Sequence, residues 1–160
     1  MPADPVKYLG LYPPFLAALR KFEAQLVAAG LDFWLTMGFR SFEQQNGLYA
    51  IGRTVPGHIV TNAKGGESWH NFGLAADYAC DAHPEKPGLQ PTWDMTIPSV
   101  RAAYAHYGAV ALGCGLEWGG SWERFPDFPH VELSYGLQLR DAQNLYAASG
   151  IDAVWAKCGE

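Results

Sequence analysis

A small α+β domain, with helices laid over one face of a short antiparallel sheet, is the fold class that this sequence predicts. Three observations carry the expectation. Apolar residues at helical spacing alternate along the chain with brief β-compatible runs, the order being helix, strand, helix, strand, helix, strand, strand, helix. No internal repeat or low-complexity tract interrupts that order. At 160 residues the chain fits a single domain, long enough to bury roughly two thirds of its unfolded surface.

The elements follow in turn. After Pro13 and Pro14, the residues Phe15, Leu19, Phe22 and Leu26 recur every three or four positions with Arg20, Lys21, Glu23 and Gln25 between them, an amphipathic helix stopped by Gly30. Residues 32–37 are short and β-compatible and predict a strand. Ser41 and Gln44 then have capping-box spacing and open a helix that ends near Gly52. Residues 53–67 hold turn formers without sustained period and predict an exposed loop, a candidate cleft wall. A strand is expected over 74–79. The stretch 81–98, with Pro84, Pro87, Pro91 and Pro98, predicts an irregular excursion. Val100, Ala103, Tyr104 and Tyr107 share one face of a helix over 99–112, ended by Gly113 and Gly115. Strands are expected at 116–118, running into a turn at Gly119 and Gly120, and at 130–133. A final helix over 137–150 and one more turn over 151–157 close the chain.

Chemistry concentrates in two places. The string Ser68-Trp69-His70-Asn71-Phe72-Gly73-Leu74-Ala75-Ala76-Asp77 sets a His and an Asp seven residues apart, and Asp127-Phe128-Pro129-His130 again joins a carboxylate to an imidazole. Catalytic zinc takes three protein ligands and leaves a fourth position open for water, and hydrolysis needs a base that is not itself a ligand. His70, Asp77 and His130 are therefore the expected ligands and Asp127 the expected base. Each has a plainer reading, since a lone His-x6-Asp is ordinary in a loop and Asp127 could serve only as a turn former before Pro129. The two strands carrying Asp77 and His130 must lie side by side for one ion to reach both. Glu117 is a candidate to orient a ligand imidazole. Cys80 and His83 have metal-like spacing but no second pair.

Composition excludes several functions. A net charge of −5 and a pI near 5.5 supply no basic footprint for nucleic acid. No run of about 18 apolar residues could insert into a membrane. The opening residues lack the basic start and apolar core of a signal peptide, which predicts cytoplasmic synthesis. Cys80, Cys114 and Cys158, odd in number, read as reduced thiols.

The ordered set S-x-H-x-x-G-x-A-x-D at 68–77, D-x-P-H at 127–130, Gly38-Phe39-Arg40-Ser41, Gln44-Gln45, Leu48-Tyr49-Ala50, Gly52-Arg53-Thr54 and Gly115-Leu116-Glu117-Trp118-Gly119-Gly120 resembles zinc peptidases of bacterial cell-wall peptides. Likeness runs from about residue 38 to about 139. It is greatest to the L-alanyl-D-glutamate endopeptidases of phage endolysins and bacterial autolysins, within the D-alanyl-D-alanine carboxypeptidase-like group that also includes Hedgehog domains. Several related branches have a longer Glu where Asp127 stands, and the endopeptidase branch shares the Asp. The resemblance implies one Zn2+ per chain and a single catalytic domain over 1–160 with no separate wall-binding module. It also implies a monomer acting on peptidoglycan stem peptides, admitted to the wall by an agent such as a holin. Arg40 is implied beside the scissile carbonyl, where a fixed cation stabilises an oxyanion. Ser68, Gln44 and Arg53 match positions that line the cleft. Trp118 and Trp122 are candidates for its wall, with core packing the competing role. A D-alanyl-D-alanine carboxypeptidase is the alternative enzyme; a zinc-stabilised, non-catalytic binding module is the alternative of another class, against which an intact Asp127 argues.

Overall fold

The computed structural model describes residues 5–81 and 90–160. Helix α1, Pro13–Ala28, starts with prolines in its first turn, where their missing N–H groups are not needed, and buries Phe15, Leu19, Phe22 and Leu26. Strand β1, Phe33–Met37, leads to α2, Phe42–Ala50. The capping box forms in both directions: the Ser41 hydroxyl accepts from Gln44 N–H, and Gln44 Oε1 accepts from Ser41 N–H at 2.8 Å. Residues 53–67 carry no helix or strand beyond an isolated bridge between Ile51 and Val55.

Strand β2, Ala75–Asp81, is the centre of the sheet. It pairs antiparallel with β1 on one side and with β5, His130–Glu132, on the other; β4, Glu117–Trp118, lies outside β5. The sequence made 81–98 irregular. The structure instead continues β2 to Asp81 and pairs its end with β3, Pro91–Thr92. A two-residue strand beginning at Pro91 is compatible with proline because the missing N–H falls at a strand start. His83, Pro84 and Pro87 lie outside the described residues.

Helix α3, Pro98–Gly113, joins α1 against the sheet, and α4, Leu139–Ser149, and α5, Ile151–Cys158, finish the fold. Side chains alternate along a strand. Ala76, Tyr78 and Cys80 of β2 and Val131 of β5 face the core, where Phe22 and Tyr107 pack against the Tyr78 ring. Asp77, His130 and Glu132 consequently share the opposite face. Two tyrosines of α3 fasten the backbone beside them, Tyr104 donating its hydroxyl to the Tyr78 carbonyl and Tyr107 to that of Pro129, each at 2.8 Å. Among the described residues no helix is long and apolar enough to cross a membrane, and Cys80, Cys114 and Cys158 are free thiols.

Candidate metal centre

Asp77 and His130 are direct partners across the β2–β5 ladder, so the pairing of the two strands brings their side chains together. His70 arrives from a short 3-10 turn, Trp69–Phe72, that precedes β2 and is closed by Gly73 in the left-handed conformation. A side chain at Gly73 would strike the Gly10 carbonyl, 2.3 Å from where its Cβ would lie.

Three potential ligand atoms meet here. His70 Nε2 lies 3.2 Å from both His130 Nδ1 and Asp77 Oδ1, and His130 Nδ1 lies 3.1 Å from Asp77 Oδ1. The remaining ring nitrogens settle the tautomers. His70 Nδ1 is 2.7 Å from the Gly38 carbonyl, which can only accept, so the proton sits on Nδ1 and Nε2 turns its lone pair inward. His130 Nε2 donates in the same way to Glu132 Oε2 at 2.6 Å, so that once Nδ1 gives up its proton a lone pair faces inward. With neutral imidazoles, two lone pairs and a carboxylate oxygen face one another with no donor among them. A single proton can bridge one pair, whereas a cation at the centre satisfies all three. Tetrahedral ligands about 2.1 Å from an ion lie roughly 3.4 Å apart, close to the spacing found. The donor set fits a metal ion.

Electrostatics agree with cation demand. Burial opposes charge on Asp77, but His70 and His130 outweigh it and hold the carboxyl well below the usual range. Burial likewise opposes protonation of His130, yet hydrogen bonds to Asp77 and Glu132 push its pKa up to about 10.

Arg40 borders the site. Its backbone N–H donates to the His70 carbonyl at 3.1 Å, and its own carbonyl accepts from Asn71 Nδ2 at 2.8 Å. The guanidinium donates through Nη1 to Gln45 Oε1 at 2.8 Å and through Nη2 to Asp77 Oδ2 at 3.4 Å; Nε is buried without a protein partner. Asp127 is not one of the three clustered ligands. It follows a loop closed at its base by the Gly119 carbonyl, which accepts from both Trp122 N–H and Asp127 N–H. Gly119 must be small, since a Cβ there would sit 2.5 Å from the Asp127 carbonyl. Asp127 reaches solvent, yet partial desolvation by the surrounding chain and the charge of Asp77 raise its pKa, against the pull of His130, His70 and Arg40.

The remaining candidates separate. Ser68 caps the 3-10 turn by position, and its side chain makes no cap hydrogen bond. Gln44 is exposed with its carbonyl engaged in the capping box, while its neighbour Gln45 is fully buried against Arg40. Arg53 stacks on Tyr49 and donates to the carbonyls of Tyr49 and Thr61, tying the last turn of α2 to the middle of the loop. Trp118 packs between Gly108 and Gly120 and donates its indole N–H to the Phe128 carbonyl, a packing position. Trp122, 38% exposed, is the tryptophan beside the metal cluster, its ring 5.2 Å from that of His130.

Glu117 does not orient a histidine. Its carboxylate accepts from the Ser134 hydroxyl, and Glu132, its register partner on β5, holds His130. The signal lay in the sequence: in a strand, positions 130 and 132 share a face.

Residues 61–133 match the sequence model of a peptidase family described as D-alanyl-D-alanine carboxypeptidase. The match takes in slightly less than half of the chain. The peptidoglycan L-alanyl-D-glutamate endopeptidase CwlK of Bacillus subtilis (strain 168) is 44% identical over 107 residues, 65% of this chain and 62% of CwlK. The chain thus matches less than two thirds of that relative's length. Among solved structures, the Serratia marcescens L-Ala D-Glu endopeptidase ChiX superposes with a TM-score of 0.56 at 22% identity, covering 89% of this chain and 91% of ChiX. The LdcB LD-carboxypeptidase gives 0.57 at 19% identity, covering 93% and 78%. Both share the fold, helices over a small antiparallel sheet.

Proposed function

We propose that this protein is a zinc peptidase that hydrolyses peptidoglycan stem peptides between L-alanine and D-glutamate. The observation that carries the reading is the inward triangle of His70 Nε2, Asp77 Oδ1 and His130 Nδ1, each imidazole locked in the tautomer that a metal requires. The choice of bond rests on likeness to CwlK and on the short carboxylate Asp127.

His70, Asp77 and His130 would hold the ion, which would supply an acidified water and a Lewis acid for the scissile carbonyl. Asp127 takes the proton of the attacking water and returns it to the departing amine of D-glutamate, so atoms balance across the cut bond. Its pKa is raised above the ordinary carboxylate value, the direction that favours taking up a proton. Arg40 keeps Asp77 oriented through Nη2 and sets a fixed positive charge beside the cluster, which favours the oxygen that gains charge. Glu132 holds His130 in place, and the Gly38 carbonyl does the same for His70. The substrate lies in the wall, and we extend the reading to a lytic role in which a holin admits the enzyme.

Digestion of purified peptidoglycan tests the reading. A new D-glutamate amine, identified by mass, is the expected product, and elemental analysis is expected to give one zinc per chain. Free D-alanine would instead establish the carboxypeptidase activity named in the family's description. Protein that is active without metal would end the proposal.

A further inference from the structure

The loop between Gly119 and Asp127 carries two aromatic side chains that the chemistry above does not use. Trp122 is 38% exposed and stands beside the His130 ring. Phe125 is 77% exposed and has a φ of 55°, a left-handed backbone that a residue with a bulky side chain rarely adopts. An exposed phenyl ring on strained backbone brings the folded protein no packing in return, and such strain gathers where a ligand is held. The loop's base is fixed by paired hydrogen bonds to the Gly119 carbonyl, one from Trp122 N–H and one from Asp127 N–H, so the aromatic loop and the expected base share one anchor.

We propose that Trp122 and Phe125 form a stacking platform for the pyranose ring of the glycan strand from which the stem peptide hangs. This rests on the peptidase reading above and deepens it by naming the second half of the substrate. L-alanine is the stem residue joined directly to the sugar's lactyl group, so a catalyst that cuts on the carbonyl side of that alanine has a sugar within one residue of its metal. The apolar C–H face of a pyranose suits aromatic rings, and the sugar is uncharged, which suits a protein of net charge −5. Glu123 and Arg124 between the two aromatics are exposed and of opposite sign, so the loop presents no net charge to repel or attract an ionic ligand.

The test compares two ligands on zinc-loaded Asp127→Asn protein, where hydrolysis is stalled: N-acetylmuramyl-L-alanyl-D-isoglutamine and L-alanyl-D-isoglutamine. The muramyl ligand is expected to bind roughly tenfold more tightly and to shift the Trp122 indole N–H resonance. Adding Phe125→Gly, which removes the ring and relieves the backbone, should bring the ratio of the two dissociation constants close to one. Trp122→Leu should do the same. Equal affinities for the two ligands, or a ratio that survives both substitutions, would overturn the platform. Wall digestion is scored separately. Sugar-dependent binding by a protein that cuts no wall keeps the platform and rejects the peptidase, and cutting without sugar preference does the reverse.

Discussion

The two banks of the site are built in opposite ways. On the β1–α2 side, Gly38, Arg40, Gln45 and Asn71 are interlocked. Asn71 bonds Gly66 N–H and the Arg40 carbonyl, and Gln45 passes from Arg40 to the Ala63 carbonyl at 2.8 Å. Arg40, Gln45 and Asn71 are almost wholly buried. On the β4–β5 side, Trp122, Phe125 and Asp127 stand in a loop that meets solvent, held at its base by Gly119 and strained at its tip. A metal needs ligands whose positions do not change, and a polymeric substrate needs a surface it can reach. Rigidity and exposure have been assigned to different banks, and substitutions should therefore fail differently on each.

The largest effect is expected at the ligands between the banks. His70→Ala and His130→Ala should each abolish both metal retention and peptidase activity, measured by elemental analysis and wall digestion. Next comes the contrast of two carboxylates. Asp127→Asn removes the proton acceptor but no ligand, so turnover should fall by roughly 10² to 10⁴ while zinc content and melting temperature hold. Asp77→Asn replaces an anionic ligand by a neutral amide and should lose zinc to a mild chelator. Retention by Asp77→Asn with loss by Asp127→Asn would reverse the two roles.

Gln45 sharpens the comparison from the rigid side. Gln45→Leu keeps the volume but strips Arg40 Nη1 and the Ala63 carbonyl of their partners, leaving buried polar atoms unsatisfied at a cost of about 1–3 kcal/mol each. The melting temperature should drop by several degrees, and the loop over 53–67 should become more open to proteolysis. An unchanged melting temperature would show that this bank is not held as described.

How much of this was legible beforehand depended on the range of each interaction. The capping box at Ser41 and Gln44 and the apolar stripe of α1 are local, and sequence spacing reports local geometry directly. The cluster was readable for another reason: a metal site demands convergence, so His70, Asp77 and His130 could be expected together without knowing the fold, and their side chains do meet. The supporting residues carried no such demand. Gln45 and Gln44 look alike in a row of letters, and only the helix's rotation decides which is buried. Glu132 was passed over for Glu117 because the two are adjacent only through strand register. The Pro91–Thr92 strand was missed because its partner, not its composition, makes it a strand.

Removing the metal probes the ligands by pH. In the metal-free protein, the folded-state pKa of His130 is raised from 6.5 to about 10, so its contribution to stability is complete below about pH 6.5 and lost as pH rises toward 10. Asp77, whose pKa is depressed, contributes above the ordinary carboxylate range and loses its share as pH falls through it. Chelated protein should therefore melt progressively lower between about pH 6.5 and 10. With zinc in place of the proton this decline should be absent, so the gap between the two melting temperatures widens with pH. A constant gap would mean that His130 and Asp77 do not share a proton when the metal is gone.

The smallest effect is expected at the tip of the exposed bank, and its sign is what matters. Phe125 has little packing to lose, being 77% exposed, and its φ of 55° is a conformation that glycine adopts without steric penalty. Against this, glycine makes the unfolded chain more flexible, a loss of a few tenths to about 1 kcal/mol. Relief of left-handed strain is worth about 1–2 kcal/mol, so Phe125→Gly should leave stability unchanged or raise it by up to roughly 1 kcal/mol. On the interlocked bank the effect runs the other way, since Gln45→Leu should only destabilise. Urea denaturation of the two variants under identical zinc loading measures the difference. A clear loss of stability in Phe125→Gly would mean that the phenyl ring packs on the fold and that both banks are built for rigidity.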